Sequence, residues 1–220
     1  MSAFRLNRFF SKPLTRLLLK TPLTPNQITL ISLGFGVLAG VLFSKGTYAF
    51  SLAAAVSYQL AMVFDNCDGE VARAKNMRSE FGGWLDVVAD ILTDISLFLG
   101  IAFGMLKQET AGPVIFFMFL CLSGALLHFI LVILEKLKGF GPAVFDAPHP
   151  EHERRTSIFL DIFDAFREGD SSWFILFFAA IGQAPMLLWI GGIYMQILWI
   201  SAALINFRWL FQNKTAGAPK

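Results

Sequence analysis

Four carboxylates, Asp65, Asp68, Asp86 and Asp90, lie within one short stretch of the chain, and long apolar runs flank them on both sides. Asp65 and Asp68 are spaced i,i+3 and Asp86 and Asp90 i,i+4, so on helices each pair shares one face. If the two helices pack antiparallel through the intervening turn, all four side chains converge on one small volume. Ionisable groups at the edge of a hydrocarbon layer are expensive to place, so such a cluster marks a functional site. Packed carboxylates cannot all stay ionised without compensation. A divalent cation supplies it, and ligands that are all oxygen favour magnesium, calcium or manganese over zinc. Four carboxylates have room for two ions, a clamp suited to phosphoryl and phosphodiester chemistry.

The elements that must hold these residues are helices in a membrane. The chain has 220 residues, 55% of them hydrophobic and 15% charged, with 24 Phe, unlike an ordinary soluble domain. Apolar spans long enough for a bilayer fall near residues 26–44, 47–65, 81–106, 114–135, 159–182 and 185–210. The fifth carries Asp161, Asp164, Arg167 and Asp170 in its first half and is continuously apolar only over about 172–184. The fold expected is an all-α integral membrane protein with six transmembrane helices. Residues 1–20, where basic residues alternate with Phe and Leu, read as an amphipathic helix lying in the headgroup layer, bent or broken by Pro13. Residues 21–220 form one six-helix domain, with a polar connection at about 136–171.

Charge placement orients the chain. With the N-terminus in the cytoplasm, only Lys45 and Lys107 of the 18 Lys and Arg fall on the far side, as the positive-inside rule requires. Both termini and the acidic cluster then face the cytoplasm, in a multi-pass protein of the cytoplasmic or inner membrane. Cys67 and Cys121 suggest no disulfide framework, and no nucleic-acid partner is expected.

The string Asp65-Asn66-Cys67-Asp68-Gly69-Glu70-Val71-Ala72-Arg73, with Gly82, Asp86 and Asp90 beyond it, satisfies D-x2-D-G-x2-A-R-x8-G-x3-D-x3-D at every fixed position. This pattern resembles the signature of the CDP-alcohol phosphotransferases, integral membrane enzymes of phospholipid synthesis. The resemblance implies transfer of a substituted phosphate, such as a phosphatidyl group, from a CDP-alcohol to an alcohol hydroxyl, with release of CMP. CDP-diacylglycerol is the expected donor. Two divalent cations, Mg2+ or Mn2+, would be held by Asp65, Asp68, Asp86 and Asp90. Asp90, at the motif's far end and deepest of the four in the membrane, would also serve as general base.

Other residues take supporting roles. Gly69 leaves room beside the first two aspartates, Ala72 gives similar clearance, and Arg73 has a fork suited to a phosphate or carboxylate. Gly82 allows close helix approach. Thr21 to Thr29 contains two prolines and several capping residues, so a helix starts there. Its Pro-Asn-x-Ile-Thr string also resembles the family, which makes Asn26 and Thr29 candidate nucleotide contacts alongside Gly69, Ala72, Arg73 and Gly82. Arg154, Arg155 and Arg167 could grip an acceptor phosphate or simply anchor the cytoplasmic side. Asp94, one turn beyond Asp90, is either a supporting hydrogen-bond partner or a wall of an acceptor cavity. Family members that accept inositol phosphate or glycerol phosphate often carry a basic residue after the last aspartate, where this chain has Ile91. The partners expected are a CDP-linked lipid donor, a small alcohol acceptor, membrane lipid and a second copy in a homodimer. The alternative from another class is a cation-coupled transporter or channel that uses the acidic cluster as an ion site. The absence of an internal repeat and the position of the acids at one rim argue against it.

Overall fold

A computed structural model describes residues 6–107, 111–138 and 171–215. Among the described residues the chain is all helical: α1 Leu6–Leu18, α2 Pro25–Phe43, α3 Tyr48–Ala74, α4 Glu80–Met105, α5 Ala111–Lys138, α6 Ser171–Ala180 and α7 Ala184–Thr215. Among the described residues four segments are long and apolar enough to cross a membrane, Pro25–Phe43, Glu80–Met105, Ala111–Leu134 and Ala184–Leu204. These match the first, third, fourth and sixth spans expected from hydropathy. α3 is longer than the second expected span because it continues unbroken through the whole Asp65–Arg73 string, so the acidic motif is helical to its end. Of the fifth expected span, residues 159–170 lie outside the described residues, and α6 covers the apolar remainder. Most of the polar connection, with Arg154, Arg155 and Arg167, also lies outside them.

Local sequence explains the helix ends that frame the site. Thr24 and Gln27 form a reciprocal capping box at the start of α2, with Gln27 N–H donating to Thr24 Oγ1 and Thr24 N–H to Gln27 Oε1 at 2.9 Å, and Pro25 follows where no donor is needed. α3 ends in a Schellman turn: Asn76 has φ 57°, and Met77 N–H donates to the Ala72 carbonyl at 2.9 Å. Ser79 Oγ then accepts from Gly82 N–H at 3.0 Å and starts α4. The sequence had α1 bent or broken at Pro13; it is not broken, since the helix runs through that residue. Pro13 is exposed.

Packing follows membrane logic: small residues inside, large apolar ones outside. Ala39, Ala54, Ala55, Ala61 and Ala102 are fully buried, while Phe103, Phe116, Phe119 and Phe207 face outward. α2 is the spine of the N-terminal half, with α3 and α4 both packed along it. The α2–α4 contact is a close approach of backbones: Gly36 lies against Thr93, and Gly40 against Ser96 and Gly100. α5 and α7 pack on each other and on the other side of α4. α1 lies across α3 and reaches α6, with Phe10 and Trp173 rings 5.6 Å apart.

Candidate active site

α3 and α4 converge through their common neighbour α2, rather than through extensive packing on each other as the sequence spacing had suggested. Their acidic faces meet across the space this leaves. One carboxylate oxygen from each of Asp65, Asp68 and Asp86 lies within 4.8 Å of the others. Asp90 stands outside that trio of oxygens, though its carboxyl lies close to that of Asp65. Of the four, Asp68 is buried, Asp65 and Asp86 are half-buried and Asp90 is exposed. The greater depth expected for Asp90 along the helix therefore does not mean burial: its side chain is exposed, on the side of α4 that faces Asp65. Three carboxylates this close, with a fourth beside them, require a proton or a cation among them. The donors are all hard oxygens from two rigid helices, so the residues fit a divalent cation such as magnesium or manganese.

The supporting residues are placed by the same helices. Thr29, buried on α2, sets its hydroxyl 2.6 Å from Asp68 Oδ2. Expected at the nucleotide, it also touches a candidate metal ligand. Asn26, at the N-terminal end of the same helix, brings its Oδ1 to the start of α4, where a Cβ on Gly82 would come within 3.0 Å of it. Two residues expected at the nucleotide are therefore neighbours. At Gly69 the free space is taken by Arg73, whose guanidinium folds back so that a Cβ would meet Nη1 at 3.3 Å. Ala72 is half-buried, one turn beyond Asp68. Asp94 lies close to the Tyr58 side chain of α3.

Two features escaped the sequence reading. Tyr58 lies seven residues before Asp65, a spacing that repeats one helix face, so its alignment with the acidic row was legible in principle. Glu70 was hidden inside the signature as a variable position. It accepts from Ser11 Oγ at 3.1 Å and from Thr15 Oγ1 at 2.7 Å, a contact that only the docking of α1 creates.

Comparison with known proteins gives the family. The model of the CDP-alcohol phosphatidyltransferase family matches residues 22–144, more than half of the chain. The phosphatidylinositol phosphate synthase of Corynebacterium glutamicum is 38% identical over 100 residues, 46% of this chain and 45% of that protein. The bifunctional IPC transferase and DIPP synthase of Archaeoglobus fulgidus is 37% identical over 123 residues, 55% of this chain and 22% of that protein. The matched region thus spans less than half the length of either relative. Crystal structures of the Mycobacterium tuberculosis phosphatidylinositol phosphate synthase share the fold. The form with CDP-DAG bound has a TM-score of 0.62 at 21% identity, covering 90% of this chain and 93% of that one. The form with manganese and citrate has a TM-score of 0.58 at 22% identity, covering 87% and 88%. The acidic signature, its convergence on α3 and α4 and the family match agree, and of the readings the sequence left open they favour a transferase over a cation transporter. The chain belongs to the CDP-alcohol phosphatidyltransferase family.

Proposed function

We propose that the protein transfers the phosphatidyl group of a CDP-linked lipid such as CDP-diacylglycerol to the hydroxyl of a small alcohol and releases CMP. The observation that carries this reading is the meeting of Asp65, Asp68 and Asp86 oxygens from two helices, at positions where the family match falls. Two divalent cations, Mg2+ or Mn2+, would be held by Asp65, Asp68, Asp86 and Asp90. When bound, such ions neutralise charge on the pyrophosphate and its leaving phosphate.

This chain's own residues have distinct tasks. Asp90, exposed beside the acidic cluster, takes the proton from the acceptor hydroxyl as its oxygen attacks the lipid-bearing phosphorus. The bond from that phosphorus to the bridging oxygen breaks, and the electron pair leaves with CMP. Asn26 and Thr29, with Gly69, Ala72, Arg73 and Gly82, border the nucleotide; Arg73 offers a planar cation to its phosphates. Thr29 also holds Asp68 in place. Asp94, close to Tyr58, lines the inner wall behind Asp90.

The architecture proposed is six transmembrane helices, with α3 and the α6 segment supplying the two beyond the four most apolar ones. Residues 1–20 form an interfacial helix, residues 21–220 the catalytic domain, and about 136–171 a cytoplasmic connection. Exposed Phe9, Phe10 and Leu17 on α1, with exposed Lys12 and Arg16, suit an anionic headgroup layer. The site faces the cytoplasm, where all but Lys45 and Lys107 of the basic residues gather. The protein acts as a homodimer, for which α5 offers an outward face carrying Phe116, Phe119 and Ile130.

Inositol phosphate is the first acceptor to test, because the relatives are named for inositol phosphate products. Ile91 stands where a basic residue often follows the last aspartate, so the phosphate grip would fall to Arg154, Arg155 or Arg167. The test is an acceptor screen with the purified protein, CDP-diacylglycerol and Mg2+ or Mn2+, scoring inositol phosphate, inositol, glycerol phosphate, serine and choline. CMP release that requires one of these alcohols is the result expected; no release with any of them contradicts the reading.

A further inference from the structure

We propose that Glu70 is a positioning residue that ties the metal-holding face of α3 to the N-terminal helix, so that cation affinity depends on α1 being docked. The inference rests on the metal-site reading above, but not on which lipid or alcohol reacts.

α3 has two working faces near its C-terminal end. Asp65, Asp68 and Ala72 share the front, and Cys67, Glu70 and Val71 share the back. The back is gripped by α1. Cys67 and Val71 are fully buried in a cluster with Leu18 and Ile28, and Cys67 Sγ reaches the Ser11 carbonyl at 3.6 Å. Glu70 accepts one hydroxyl hydrogen bond on each oxygen, from Ser11 at 3.1 Å and Thr15 at 2.7 Å. Ser11 and Thr15 are one helical turn apart, so a single carboxylate spans both. The seam continues through Gln59 Nε2 to Asn7 Oδ1 at 2.6 Å and Asn7 Nδ2 to Ser172 Oγ at 3.0 Å. At the other end Lys75 Nζ donates to the Thr21 and Leu23 carbonyls, each at 2.9 Å.

This arrangement inverts the usual amphipathic helix. α1 buries Asn7, Ser11 and Thr15 while exposing Phe9 (74%) and Leu17 (60%). An apolar seam would hold α1 with less desolvation but would tolerate sliding and rotation. A seam of paired polar groups is satisfied in one register only. Glu70 thus fixes the rotation of α3 about its axis from behind, and with it the direction of Asp65 and Asp68 in front. Partners outside the ligand shell typically change metal affinity or activity by about 10–100-fold; one layer further out, about tenfold is the expectation.

The experiment uses the full chain in lipid nanodiscs, comparing wild type with Thr15→Val, Thr15→Ser, Glu70→Gln and Glu70→Ala. Mn2+ binding is read directly by the loss of the free-ion EPR signal, and docking of α1 by the rate of maleimide labelling at Cys67 in a Cys121→Ala background. Thr15→Val and Glu70→Ala should label Cys67 faster and weaken Mn2+ binding about tenfold, with Thr15→Ser restoring both. Faster labelling with unchanged Mn2+ affinity would reduce the seam to a structural role and overturn the proposal, as would unchanged labelling in Glu70→Ala. If Glu70→Ala does not fold, the Thr15 pair gives the same decision. Wild-type protein that binds Mn2+ but releases no CMP would contradict the proposed reaction and leave this inference to be judged on binding and labelling alone.

Discussion

Thr29 sets its hydroxyl 2.6 Å from Asp68 Oδ2, joining α2 to the acidic face of α3 at the one buried aspartate of the trio. A hydroxyl that bonds a candidate ligand fixes which oxygen faces inward and keeps the carboxylate in one rotamer. The helix start at Thr24 therefore has a consequence five residues on, because the capping box sets where Thr29 points.

Replacing Thr29 by Val removes the hydroxyl at nearly constant volume. The expected outcome is about a tenfold rise in the Mn2+ concentration for half-maximal activity, with Thr29→Ser close to wild type. A metal titration of CMP release checks it. An effect confined to the donor KM, with metal dependence unchanged, would leave Thr29 with a nucleotide role alone.

Asp90→Asn keeps the size of the side chain and removes its ability to take a proton. Turnover should fall by about 10²–10⁴-fold while the helices and donor binding persist. Stopped CMP production alongside an unchanged melting temperature and retained CDP-diacylglycerol binding checks it, whereas near-normal turnover would remove Asp90 as the base.

The α2–α4 contact makes a prediction about stability alone. A Cβ at Gly40 would run into the Ser96 backbone carbonyl, and one at Gly100 into the Gly40 carbonyl, while Gly34 has nothing within 4 Å. Gly40→Ala and Gly100→Ala should each cost about 1–3 kcal/mol by overpacking, and Gly34→Ala should be nearly neutral. Thermal unfolding in one detergent ranks the three.

The spacing of Asp65, Asp68 and Asp86 was legible because helix periodicity turns sequence separation into a shared face, and the signature residues lie on two uninterrupted helices. Hydropathy located α2, α4, α5 and α7 closely, since a bilayer demands long apolar runs whatever the neighbours are. What could not be read was tertiary. That α2 holds α3 and α4 together depends on Gly36 and Gly40 meeting Thr93, Ser96 and Gly100, a matching of two separate glycine and small-residue rows. The polar inner face of α1 was hidden because Asn7, Ser11 and Thr15 look like solvated positions until Glu70 and Gln59 are brought opposite them.

The account turns on oxygen donors from two helices acting as one cation site for phosphatidyl transfer. The most direct measurement is Mn2+ binding by EPR, paired with CMP release from CDP-diacylglycerol, in wild type and in Asp68→Asn and Asp86→Asn. The account predicts that either substitution, one on each helix, abolishes high-affinity Mn2+ binding and CMP release together while the protein stays folded. Mn2+ binding that survives both substitutions, or CMP release that proceeds without a divalent cation, would contradict it.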